Sequence, residues 1–172
     1  MLLGVFVLLD WGSVKIVFSD VDGVLTDGAV YFGPEGQVFK RFNIYDGYGM
    51  RKLVEAGVKV IIISADDTPI VTARASRLQV SEVHMGVRDK ATRVRDILAR
   101  EGLADVEAVF LGDDELDVPA MNVVGIGVSV PSAHPCALAA ADFVTQRRGG
   151  EGAMREVCDL ILAAREGHEV CP

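Results

Sequence analysis

Cysteine is scarce: the 172 residues hold three, Cys136, Cys158 and Cys171, and no Cys-x-x-Cys pair. An odd count without paired spacing argues against a disulfide framework and points to a reducing cytoplasm. Positive charge is also in deficit, with 17 Lys and Arg against 25 Asp and Glu and a formal net charge of −8. That balance disfavours nucleic acid and anionic membranes as partners. A small anionic substrate stays open, because a metal ion and a few basic residues reverse the sign inside a cleft. Long hydrophobic runs are missing too. The apolar start, residues 1–9, has no basic flank and is too short to span a bilayer. Residues 1–14 are therefore expected to be a strand-forming or disordered leader, ahead of one domain over residues 15–172. No internal repeat, low-complexity tract or long linker interrupts that domain.

What is present is apolar sequence, half of all residues, enough for a core of its own. It is arranged as alternating strand and helix patterns. Residues 15–19 read as a buried strand. Met50, Leu53 and Val54 have helical spacing, with Gly57 as the stop. Residues 58–63 form a β-branched run suited to a central parallel strand. A helix is predicted over 69–78, a short strand over 80–84, a helix through Ala91, Val94 and Leu98 to Gly102, and a strand over 108–111. A short helix at 118–122, a strand at 124–128 and a closing helix through Val157, Leu160, Ile161 and Ala164 complete the series. The pattern predicts an α/β fold, a Rossmann-like parallel sheet with helices on both faces. Residues 28–43 break the alternation: two β-rich runs flank Gly33-Pro34-Glu35-Gly36, a hairpin inserted after the first strand.

In open parallel sheets, ligands sit beyond the carboxyl ends of the strands. Four polar signals fall there. Asp20-Val21-Asp22-Gly23 follows the first strand: two carboxylates able to converge on a cation, and a glycine that lets backbone approach a phosphate. Ser64 ends the second strand and can donate to a phosphoryl oxygen, although most such serines are turn residues. Lys90 opens a helix, where the macrodipole disfavours a cation unless an anionic partner is near. Gly112-Asp113-Asp114-Glu115-Leu116-Asp117 follows a later strand, and so acidic a cluster suits Mg2+, an acidic helix start being the plainer reading.

Taken in order, Asp-x-Asp, Ser, Lys and Gly-Asp-Asp resemble the four-part signature of haloacid dehalogenase (HAD) superfamily phosphatases over residues 14–162. Within them, Asp20 to Gly28, Phe42 to Met50, Ala133-His134-Pro135 and Gly149 to Glu156 resemble the 3-deoxy-D-manno-octulosonate (KDO) 8-phosphate phosphatases. The phosphatase-like domains of acylneuraminate cytidylyltransferases are also similar.

The resemblance implies a capless, Mg2+-dependent homotetramer with its hairpins in the assembly. It implies an aspartyl-phosphate route, with Asp20 as nucleophile and Asp22 as acid and base. Ser64 and backbone N–H groups near Val21 and Gly23 would hold the phosphoryl oxygens. Lys90 would offset charge, and Asp20, the Asp22 carbonyl and Asp113 would hold the metal. Asp114 and Asp117 would orient metal waters and Lys90, and Arg74 would meet a substrate carboxylate or a neighbouring subunit.

One departure stands out. Where the KDO 8-phosphate enzymes typically read Thr-Gly-Arg, this chain reads Ser64-Ala65-Asp66. Enzymes acting on nine-carbon (nonulosonate) 9-phosphates carry an acid there. An acid would accept hydrogen bonds from sugar hydroxyls and repel a substrate carboxylate. Two non-enzymatic readings compete: an idle or regulatory HAD-like domain, and a receiver-type signalling module, whose phospho-accepting aspartate follows a middle strand instead.

Overall fold

The computed structural model describes residues 9–167. Residues 1–8 of the expected leader, and the tail with Cys171, lie outside the described residues. The fold begins ahead of the boundary expected at Lys15. Asp10 accepts the Ser13 N–H at 3.2 Å and closes a 3-10 turn over Trp11–Ser13. That turn aims the Trp11 ring inward, edge-on to Phe143 with centroids 5.4 Å apart. Val14 is wholly buried.

Six strands make the sheet: β1 (Ile16–Ser19), β4 (Lys59–Ile63), β5 (Glu82–His84), β6 (Ala108–Leu111), β7 (Ile126–Ser129) and β8 (Phe143–Val144). Their spatial order is β5-β4-β1-β6-β7-β8, and every pairing is parallel. The helices between them are α1 (Ile44–Glu55), α2 (Pro69–Leu78), α3 (Lys90–Glu101), α4 (Val118–Met121), α5 (Pro135–Ala140) and α6 (Ala153–Arg165). Alternate strand residues feed two separate cores. Val17, Val60 and Ile62 pack with α1, α2 and α6, whereas Ile16, Phe18, Ile61 and Ile63 pack with α3 and α4. A sheet covered on both faces explains why these strands are apolar without a break.

The expected hairpin forms from β2 (Tyr31–Gly33) and β3 (Gly36–Phe39), antiparallel and separate from the main sheet. A lone antiparallel bridge, Thr26 to Phe42, ties its base to the loop after β1. Two elements escaped the sequence reading, α5 and the two-residue β8. The sheet order reverses at β1 and β6, and the carboxyl ends of those two strands open the crevice where such sheets bind ligands.

Candidate active site

Asp20 is the first residue beyond β1, and its N–H is held by the Leu111 carbonyl of β6 at 2.9 Å. Asp113 stands two residues past the end of β6. The switch point therefore sets these carboxylates side by side. The loop after Asp20 turns tightly, with the N–H groups of Val24, Leu25 and Thr26 all directed at the Val21 carbonyl. Gly23 has φ +88°, and a Cβ there would lie 1.9 Å from Asp113 Oδ2. Only glycine allows the loop to pass so close to that carboxylate. Gly149 closes the loop from behind: a Cβ on it would sit 1.6 Å from the Gly23 carbonyl oxygen. Its neighbour Gly150 donates to the Val24 carbonyl at 2.9 Å.

Lys90 meets this group from the first position of α3, with Asp89 capping the helix through the Thr92 N–H at 3.0 Å. Its ammonium donates to Asp20 Oδ1 at 2.7 Å and to Asp117 Oδ1 at 2.6 Å. These are the anionic partners that a lysine at a helix start calls for. Burial pushes Lys90 down, but the two aspartates outweigh it and the net shift is upward. Asp117 Oδ2 accepts the N–H groups of Asp113 and Asp114 at 3.0 and 3.2 Å. Both oxygens of Asp117 are thus engaged, one with Lys90 and one with the loop.

Asp20 and Asp113 behave differently. Burial first, then Asp117, lifts Asp20 from 3.8 to about 7 against the pull of Lys90. Burial, then Asp20, Asp117 and Asp114, lifts Asp113 from 3.8 to about 8. Carboxylates of Asp20, Asp113 and Asp117 approach within 4.8 Å of one another, and Asp113 Oδ1 is buried with no hydrogen-bond partner. Hard oxygen donors, an unpartnered oxygen and unrelieved negative charge together fit a small divalent cation.

Other expected residues fall nearby with different partners. Ser64, buried at the end of β4, accepts the Asp66 N–H at 3.1 Å. The Gly23 N–H points to Thr26 Oγ1 at 3.3 Å. Asp114 stands at the exposed rim and accepts the Glu115 N–H at 2.7 Å. Arg74 turns toward the start of α1: it donates to the Asn43 carbonyl at 3.4 Å and lies 5.8 Å from the Phe42 ring centroid.

Asp66 is not the open acid the sequence suggested. Its carboxylate accepts from Lys40 at 2.7 Å, and the same ammonium holds both oxygens of Asp22 at 2.8 and 2.6 Å. Burial alone would raise Asp66, but Lys40 outweighs it and the group is lowered. Sequence reasoning missed Lys40. One signal was available: along an extended chain Lys40 shares the side of Phe42, two residues on, which packs against the core.

Comparison with known proteins gives a consistent result. The family of haloacid dehalogenase-like hydrolases matches residues 65–156. The 3-deoxy-D-manno-octulosonate 8-phosphate phosphatase KdsC of Yersinia pestis is 39% identical over 154 residues, covering 90% of this chain and 82% of the relative. A Moraxella catarrhalis 3-deoxy-D-manno-octulosonate 8-phosphate phosphatase, solved with magnesium ion, phosphate ion and KDO, superposes with a TM-score of 0.88 at 34% identity. That match covers 92% of this chain and 91% of the other. The cobalt-bound Haemophilus influenzae phosphatase YrbI gives a TM-score of 0.88 at 34% identity over 91% of this chain and 92% of the other.

Proposed function

The chain belongs to the haloacid dehalogenase-like hydrolases, in the KDO 8-phosphate phosphatase branch, and from that membership we propose that it hydrolyses the phosphate monoester of a 2-keto-3-deoxy sugar acid, KDO 8-phosphate foremost. The observation that carries the reading is Lys90 seated between Asp20 and Asp117, with Asp113 alongside. Asp20 attacks phosphorus, forming an O–P bond as the bond to the sugar oxygen breaks. Asp22 gives the departing oxygen a proton and then takes one from the water that cleaves the aspartyl-phosphate. Lys90 holds the Asp20 oxygen in place. Ser64 and the main chain of the loop after Asp20 bind the phosphoryl oxygens.

Asp20, Asp113 and the Asp22 carbonyl are the residues assigned to Mg2+, which when bound supplies positive charge to offset the phosphoryl group. The raised values of Asp20 and Asp113 give a test. A carboxyl raised in the folded state contributes stability below its unfolded value of 3.8 and loses it as pH climbs through about 7 and about 8. In EDTA the melting temperature is expected to fall over that window. Added Mg2+ reverses the loss, so the increment in melting temperature on adding Mg2+ grows with pH. A flat increment would rule the site out.

The substrate is tested by phosphate release from KDO 8-phosphate, a nonulosonate 9-phosphate and simple sugar phosphates, each with Mg2+ and with EDTA. Multiple turnover of KDO 8-phosphate that disappears in EDTA is expected. No turnover of any ester with Mg2+ would leave the idle-domain reading standing. Asp66 weighs less against the eight-carbon acid than its sequence position implied, because Lys40 takes up its charge.

The assembly is a homotetramer in this reading. Phe32 is 75% exposed at the hairpin, and Tyr31, Val38, Phe39, Ile44, Tyr45 and Tyr48 are exposed on it and on α1. Apolar side chains in such density mark a contact surface. Light scattering is expected to give the mass of four chains, and Phe32→Ser with Val38→Ser to give smaller species with an unchanged fold. A single-chain mass for the unaltered protein would refute the assembly. Free thiols at Cys136 and Cys158 suit the reducing cytoplasm. No helix among the described residues is long and apolar enough to cross a membrane.

A further inference from the structure

We propose that Lys40 is a positioning residue of the reaction: reaching in from the hairpin, it fixes the carboxylate of Asp22 in the orientation that delivers a proton to the leaving oxygen. The inference rests on the phosphatase reading and goes beyond it. Three observations support it. The Lys40 side chain is 1% exposed, whereas those of Asp22 and Asp66 are 33% and 35% exposed. The cation is therefore covered while the two carboxylates it holds stay partly open to solvent. Lys40 also grips both oxygens of Asp22, at 2.8 and 2.6 Å. A charge-assisted contact shared by both oxygens holds the head of the carboxylate in place and keeps the side chain from swinging to another rotamer. The remaining contact to Asp22, from the Thr26 hydroxyl at 3.4 Å, is long. Finally, Asp66 anchors the ammonium from the far side at 2.7 Å. With two carboxylates on one ammonium, the lysine is held at its site even while Asp22 exchanges its proton. Lys40 follows directly on β3, so the hairpin and the acid–base group share one fastening.

The proton from Asp22 matters for a poor leaving group, such as a sugar alkoxide, and little for a good one, such as p-nitrophenolate. That contrast separates positioning from mere support of the fold. Lys40→Met and Lys40→Gln, assayed with Mg2+, are expected to lose about 30- to 100-fold in kcat/KM on KDO 8-phosphate. On p-nitrophenyl phosphate the kcat/KM of the same variants, which reports only the steps up to formation of the aspartyl-phosphate and not its hydrolysis, should stay within about threefold of the parent enzyme, with Lys40→Arg recovering most of the loss on the sugar ester. Activity on the aryl ester also reports that the variants fold. Equal losses of kcat/KM on the two esters would make Lys40 a structural residue and overturn the proposal, as would an unchanged kcat/KM on KDO 8-phosphate. Failure of the underlying phosphatase reading is seen separately, as an unaltered protein that hydrolyses neither ester.

Discussion

Asp20→Asn is expected to lower kcat by at least about 10⁴-fold while leaving the melting temperature unchanged or higher. The amide has the shape of the carboxylate and none of its nucleophilicity, so the route through an aspartyl-phosphate closes at its first step. Stability follows from the surroundings. Burial and Asp117 push the Asp20 carboxyl up to about 7, which means that its charge is poorly accommodated. Removing that charge relieves Asp113 as well, for which Asp20 is the strongest of the nearby repelling groups. Lys90 keeps its second partner, Asp117. Steady-state phosphate release together with a thermal melt decides the matter. A rate within tenfold of the parent enzyme would remove Asp20 from the role of nucleophile.

Lys90→Ala should cost about 10²- to 10³-fold in kcat, and unlike Asp20→Asn it should lower the melting temperature. The Lys90 side chain is 2% exposed and Asp117 1%, so the loss leaves two buried carboxylates without their shared cation. Breaking a buried pair from one side costs on the order of 3–5 kcal/mol when the stranded charge persists. Carboxylates escape part of that cost by taking up protons. The loss of stability is therefore expected to be smaller at pH 6, below the values of about 7 and about 8 to which Asp20 and Asp113 are already raised, than at pH 8. Melts of parent and variant at the two pH values, in EDTA, measure the difference. A rate within threefold of the parent enzyme would reduce Lys90 to a structural cation.

The two variants act on residues that sequence pattern alone could bring together. Asp20, Ser64, Lys90 and Asp113 each follow a run readable as a strand or open a readable helix, and a parallel sheet lines up the carboxyl ends of its strands along one edge. The helix at Pro69–Leu78 and the strand at Ala108–Leu111 were legible for the same reason: apolar period and punctuation agree there. Elements that went unread lack that agreement. α5 is six residues long and half alanine, too short to display a period, and its start is set by the His134 side chain. The first turns of α1 invert the usual pattern, with Ile44, Tyr45 and Tyr48 exposed and Gly47 and Gly49 buried. Lys40 was hidden for a different reason. Its partners Asp22 and Asp66 stand on other segments, and nothing local to a hairpin lysine says that it turns inward. Asp66 was visible as a departure from the family pattern, but its meaning depends on that unseen cation.

The wall formed by Gly149 behind the loop after Asp20 has a consequence for the order in which the enzyme comes into being. The loop leaves the ribosome long before the backbone that braces it, at Gly149 and Gly150. A nascent chain stopped just short of Gly149 already carries Asp20, Lys90 and the acidic cluster, and its sheet is complete through β8. It still lacks the surface against which the loop is pressed into shape. Contacts of such long sequence separation are the slow step of assembly, so catalytic competence is expected to arrive after the bulk of this fold, once Gly149 and Gly150 have joined the chain.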